Sequence, residues 1–320
     1  MEFSFARSLD IMRRTAPFIV LRVIVYFGIA LAYVLATGTG AGIGWGVGAM
    51  GDEDFQAGST FWGGAIGFGG TAAVLYFLRE YILYIVKAGH IAVMVEMIDG
   101  RDLPAGRGQI DHAQAIVKER FAQANLLFAL DQIVKGVIRA ITGLVQGLAS
   151  ILPIPGVDGM MKVVRAFLRV AVGLIDEVIL AHLIRRNPDN PWSGARDALV
   201  LYGQNARTML VNAAWITLVS YALALVVFVL MLAPAAAVVY LIPGGWSAGG
   251  LVFALLFAWA VKAALIEPFA LACLLQAFFR VSDGQEPDPE WTARLESASA
   301  KFRDLGARAA DWAGGRATPG

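Results

Sequence analysis

The sequence predicts an all-α polytopic membrane protein with six hydrophobic helices. Three observations carry this. Hydrophobic residues make up 58% of the 320 residues and charged residues only 16%, against roughly 45–50% and about 25% in a soluble domain. Mean hydropathy is +0.64. The apolar residues also gather into stretches of the ~20 residues that a helix needs to cross a bilayer core. One soluble core does not absorb such an excess, because cores stop growing near ~250–300 residues. A disordered chain, a disulfide scaffold and a nucleic-acid binder are excluded on the same grounds. Cys273 is the single cysteine and the net charge is +1.

The stretches are 17–36, 61–86, 124–152, 160–183, 209–242 and 251–279. The first follows Arg13-Arg14 in the manner of a signal peptide, but a run of about 20 residues suits a span better than a short signal core. The third carries Asp131, Lys135 and Arg139. The fourth carries Lys162, Arg165, Arg169, Asp176 and Glu177. These charges leave an alternative of four spans, with 124–186 as a helical hairpin lying in the membrane interface.

Basic residues set the expected orientation. They precede the first span as Arg7, Arg13 and Arg14, and they recur in 87–120, 185–207 and the tail after 279. The connections 37–60, 153–161 and 243–250 hold no Lys or Arg. Strict alternation places both termini in the cytoplasm of a bacterial inner membrane. The expected organisation is a transmembrane domain at 1–286, with cytoplasmic loops 87–123 and 184–208. A cytoplasmic amphipathic helix and tail follow at 287–320.

The small residues have their own pattern. Glycines alternate with other residues across 38–51, a period that suits extended chain, since glycine weakens helices. Gly63, Gly67 and nearby Gly70 suit close helix packing in lipid, within one chain or between two.

Ionisable groups at membrane depth are costly and mark functional candidates. Asp131, Asp176, Glu177 and Glu267 are the expected charge partners of a solute pathway. Pro268 frees a backbone carbonyl beside Glu267. Trp215 and Trp259, with Tyr221, are available for cation–π contact.

Pro188-Asp189-Asn190-Pro191-Trp192 reappears as Pro287-Asp288-Pro289-Glu290-Trp291. Asn190 and Asp288 suit helix N-caps, each followed by Pro at the first helical position. A fainter copy runs from Pro104 through Gln109 to Phe121. This reads as an internal repeat of the kind common in transporters. In the tail, Trp291, Leu295, Ala298, Phe302, Leu305, Ala309 and Trp312 step by four and three, making a narrow stripe on one helix. It suits the chain's own cytoplasmic helices, a membrane surface or a partner.

Nothing marks an active site. His90, His112 and His182 share no short ligand spacing, and H-E-x-x-H, C-x-x-C, G-x-S-x-G and P-loop patterns are missing. The sequence predicts no enzyme, no metal and no cofactor.

Around 176–210 the chain resembles the choline transporter-like family. The matching order is an amphipathic apolar helix at 163–183 and a polar break at 186–192. Ser193-Gly194-Ala195-Arg196-Asp197-Ala198 follows, then a Leu-rich run at 199–205 ending in Asn205, and a long span at 210–242. The final span and its acidic turn, 269–286, are also similar. The resemblance covers about 125–305 and implies a shared helical scaffold, with no ligand residue carried over. Family chains are about twice as long, which implies that this chain pairs with itself, as a dimer in the first instance. The expected function is a small-solute permease or pore, with an organic cation as the solute. The alternative is a non-transporting scaffold or assembly factor working through cytoplasmic amphipathic helices.

Overall fold

Apolar runs of this length leave the backbone no water to bond, so their N–H and C=O groups must pair within the segment. Helix is the result in the described residues. The computed structural model describes residues 1–103, 108–120, 130, 132–138, 174–241 and 247–316, and among these every regular element is helical. We label them α1 (Phe5–Arg14), α2 (Ala16–Gly48), α3 (Glu53–Ile98), α4 (Gly108–Arg120), α5 (Ile175–Arg186), α6 (Pro191–Gln204), α7 (Ala206–Leu241), α8 (Ser247–Val261), α9 (Glu267–Ser282), α10 (Pro289–Ala298) and α11 (Ala300–Arg316). A π-helical turn, Lys262–Ile266, joins α8 to α9.

Three helical segments are long and apolar enough to cross a membrane: Ala16–Gly48, Ala206–Leu241 and Gly249–Ser282. They contain the predicted first and sixth stretches, and the fifth as far as Leu241. The second lies inside the 46-residue α3. Most of the third and fourth lies outside the described residues.

The chain divides into two compact units. The first, which we call the apolar unit, comprises Ala16–Lys87 and Val219–Pro268. Its outward side chains are hydrophobic: Ile24 is 63% exposed, Ile66 71% and Leu230 61%. Its interior is small and rich in alanine. Ala30, Ala260, Ala263 and Ala264 surround Tyr26, while Ala41, Ala235 and Ala254 surround Phe253. Small residues permit the close approach that drives helix association where solvent offers no hydrophobic force.

Residues 38–48 continue α2 rather than forming extended chain. The alternating glycines are two helical stripes read as one pattern. Gly40, Gly44 and Gly48 lie four apart and face α3. A Cβ on Gly40 would stand 2.2 Å from the carbonyl oxygen of Gly63, and one on Gly44 would stand 2.0 Å from that of Ser59. Gly38, Gly42 and Gly46 have nothing within 4 Å of such an atom. Packing against α3 outweighs the low helix propensity of glycine.

The second, cored unit comprises Met1–Thr15, Ala88–Leu218 and Phe269–Gly320. Its interior is conventional, with Met94, Ile179, Leu183, Leu199, Leu271, Phe278 and Phe302 all fully enclosed. From Ala88 to Met97 the end of α3 is buried on every face, which makes it the central strut of this unit.

Caps delimit the short helices. The Ser4 side chain accepts from the Arg7 amide, that of Asn190 from Trp192 and Ser193, and that of Asp288 from Glu290. Asn190-Pro191 and Asp288-Pro289 therefore share one capping device, but they are out of step with the sequence repeat. Trp192 stands two residues after its cap and Trp291 three. Pro104, in the fainter copy, lies outside the described residues.

The tail departs from the single helix expected. It breaks at Ser299, which adopts extended backbone with φ −137° and ψ 113°. Its hydroxyl oxygen then accepts from the Phe302 amide and starts α11. Serine favours this capping geometry over a mid-helix position.

Candidate functional site

Glu267 opens α9 directly after the π-helical turn. In that turn the Glu267 amide donates to the carbonyl of Lys262, five residues back. The same spacing would pair the next amide with Ala263, but residue 268 is proline and has no N–H. The orphaned Ala263 oxygen instead accepts from the Arg22 guanidinium at 2.8 Å. Arg22 sits in the apolar face of α2 and is 1% exposed. A buried guanidinium is tolerable only where paired and hydrogen-bonded.

Glu267 completes the pairing. Lys262 Nζ lies 2.8 Å from one carboxylate oxygen, and Arg22 lies 4.0 Å from the other. Lys87 adds a third positive field at the same carboxylate. Arg22 also stands 5.8 Å from the Tyr26 ring centroid, and Tyr26 meets Trp259 edge-on at 5.4 Å. A connected group of Trp259, Tyr26, Arg22, Glu267 and Lys262 results, all inside the apolar unit. Its carboxylate is already engaged by fixed cations, so its chemistry is that of an internal ion pair. Trp259 meets an aromatic ring here, and the ring that carries the cation is Tyr26.

The other expected pathway residues belong to the cored unit or lie outside the described residues. Asp176 belongs to the cored unit, 3.8 Å from Lys135. Glu177, beside it on α5, is buried in the same unit. Trp215 is 46% exposed on the first half of α7. Asp131 lies outside the described residues. Among the described residues, neither unit by itself contains all the predicted carboxylates and tryptophans.

Gly63 and Gly67 face α2. A Cβ on Gly67 would stand 2.1 Å from the Ala36 carbonyl oxygen, whereas one on Gly70 meets nothing within 4 Å. The close-packed stripe is thus Gly63 and Gly67, without Gly70.

The tail stripe is covered by the chain's own helix α6. Leu295, Phe302 and Leu305 are buried. The Trp291 ring lies against Gly203, and Trp312 donates its indole N–H to the Asp189 carbonyl at 3.2 Å. Arg308 stacks over Trp192, Arg196 pairs with Glu296, and Asn190 donates to the Ala309 carbonyl. Leu295, Phe302 and Leu305 are therefore enclosed within the chain, while Ala298 stays exposed and Trp291 and Trp312 are half-buried. Seven-residue spacing gives a seam one helix wide, and α6 fills it.

Burial shifts several groups in the cored unit. His182 is held down at about 4, chiefly by burial and then by Arg186 and Arg185. Burial raises the Asp197 carboxyl against the opposing pull of Arg196, and it raises the Tyr202 phenol strongly. Among the described residues, no three His, Cys, Asp or Glu side chains are gathered as a metal ion requires.

Sequence reasoning overlooked Arg22. Its signal was plain: one arginine inside an apolar run of 17–36 must find a carboxylate or a carbonyl. Lys87 closes the second apolar run in the same way.

No family model, curated protein or solved structure matches this chain.

Proposed function

We propose that this protein is a non-transporting membrane scaffold of a bacterial inner membrane, in which the apolar unit is a four-span anchor and the cored unit is cytoplasmic. The observation that carries this reading is the engagement of Glu267 by Lys262 and Arg22. A permease for organic cations needs a carboxylate that a solute can compete for. This one is held by cations of its own protein.

Further support comes from the dimensions of the apolar unit. Trp45 and Trp62 are exposed at one end of the α2–α3 pair, and Arg22 and Lys87 stand at the other. The 23 helical steps from Arg22 to Trp45 span about 35 Å at ~1.5 Å per residue. A bilayer core is ~30 Å thick, with tryptophans favoured at its edges and cations on the cytoplasmic side. Asp52, Glu53 and Asp54 form the connection beyond the tryptophans, where basic residues are lacking. This orientation leaves both termini in the cytoplasm.

Four spans rather than six are favoured by the described parts of 124–186. Gly136 lies against the Lys301 side chain of the tail, and α5 buries nine of its residues in the cored unit. The resemblance to choline transporter-like proteins contributes only the helical scaffold to this reading. The glycine seam is used within the chain, so a homodimer requires a different surface.

Flux measurement tests the proposal. Liposomes containing the purified protein should take up labelled choline no faster than empty liposomes. Uptake that Glu267→Gln abolishes would overturn the scaffold reading in favour of a permease.

A further inference from the structure

Three arginines from three helices of the cored unit converge on one cleft. Arg7 comes from α1, Arg185 from the end of α5 and Arg280 from α9. With Glu2, Phe3, Ser4, Ile98, Gln276, Phe279 and Asp283 they line a cleft of about 430 Å³, within the ~300–1,000 Å³ of small-molecule sites. All of these residues belong to the same unit.

Two of the arginines are held in place by groups that use only part of their hydrogen-bonding capacity. Arg7 donates one terminal N–H to the Ile98 carbonyl at 2.8 Å. Arg185 donates its Nε–H to Asp99 at 2.8 Å, and its guanidinium lies 4.5 Å from the Phe279 ring centroid. A guanidinium carries five N–H donors in a planar fork matched to a carboxylate. Arg280 is held more loosely. Its Nε is 3.6 Å from a Glu2 carboxylate oxygen, and both side chains are well exposed.

Glu2 shows what the cleft accepts. The segment Glu2–Ser4 is tied over it by two backbone amides, Glu2 to the Asn212 side-chain oxygen at 2.9 Å and Ser4 to that of Gln276 at 3.4 Å. The segment thereby delivers a carboxylate to Arg280. An exposed pair of this kind is weak, so a free carboxylate competes on favourable terms. Phe3, Ile98 and Phe279 supply apolar wall beside the charges.

We propose that this cleft binds a small organic acid, whose carboxylate exchanges with that of Glu2 at Arg280, beside Arg7 and Arg185, while its apolar body rests on Phe3 and Ile98. The site is independent of whether the apolar unit transports anything.

Calorimetric titration of the full chain in detergent micelles with benzoate tests this, with protein-free micelles as the blank. Benzoate should bind, and acetate more weakly. Arg280→Gln and Arg7→Gln should each weaken benzoate binding about tenfold. Glu2→Gln removes the internal competitor and should tighten it at least about threefold, an effect that a purely structural role for Glu2 does not produce. Thermal melting of each variant checks that its fold is intact. The assignment is overturned if benzoate gives no heat, if inorganic phosphate binds and benzoate does not, or if Glu2→Gln leaves the affinity unchanged or lower.

Discussion

Two residues illustrate how burial converts charge into stability. Glu267 is one-quarter exposed and accepts from Lys262 at 2.8 Å. Glu267→Gln should lower stability in detergent by about 2 kcal/mol, because the bond from Lys262 then meets a neutral acceptor and the buried Arg22 loses its counter-charge. Glu290 and Arg294 form an exposed pair on α10, and Glu290→Gln should change stability by no more than about 0.5 kcal/mol. Denaturation midpoints compare the two.

His182 gives a pH dependence. Its folded value of about 4 lies below the usual 6.5, so between those values the unfolded chain binds the proton more readily. Stability should be complete above about pH 6.5 and should fall as pH drops towards 4, by roughly 3 kcal/mol in all. His182→Leu should flatten that part of the profile. A steep loss of stability over this range in the variant would assign the dependence to other groups.

At the scale of elements, the decisive contact is the α2–α3 seam. Helix propensity treats all its glycines alike, and packing does not. Gly42→Ala and Gly46→Ala should stabilise the protein by about 0.5–1 kcal/mol each, since the new methyl meets nothing and the helix gains. Gly40→Ala and Gly63→Ala place Cβ on the opposing backbone, and each should lower the melting temperature by several degrees. Equal effects from the two stripes would mean that α2 and α3 do not pack in this register. The seam was half legible beforehand. Gly63 and Gly67 stood four apart and declared themselves, whereas Gly40, Gly44 and Gly48 were hidden by the intervening glycines. The tail shows the reverse case. Its stripe was readable from Trp291 to Trp312, but the break at Ser299 was not, because serine also occurs within exposed helices.

At the scale of the molecule, the two units differ in how they use hydrophobic residues. The apolar unit faces them outward around alanine and glycine seams, whereas the cored unit encloses them. Such an outward apolar surface favours lipid around the apolar unit. The division also bears on the region 124–186, whose described residues contribute to the cored unit. A cysteine placed at Gly156 should react with a membrane-impermeant thiol reagent only when the cytoplasmic face is open to it. Labelling from the periplasmic side in intact cells would establish six spans instead of four.

The sequence alone determined the all-helical class, the long apolar segments, the capping boundaries at Asn190 and Asp288, and the glycine spacing of Gly63 and Gly67. Each depends on neighbours within about four residues, where helix periodicity and side-chain reach make the pattern readable. Tertiary structure decided the rest. It placed Arg22 on Glu267, put Asp176 and Glu177 in the cored unit, set α6 against the tail stripe, and brought Arg7, Arg185 and Arg280 to one cleft. Those outcomes join residues tens to hundreds of positions apart, and local pattern carries no information on which distant helix will stand opposite.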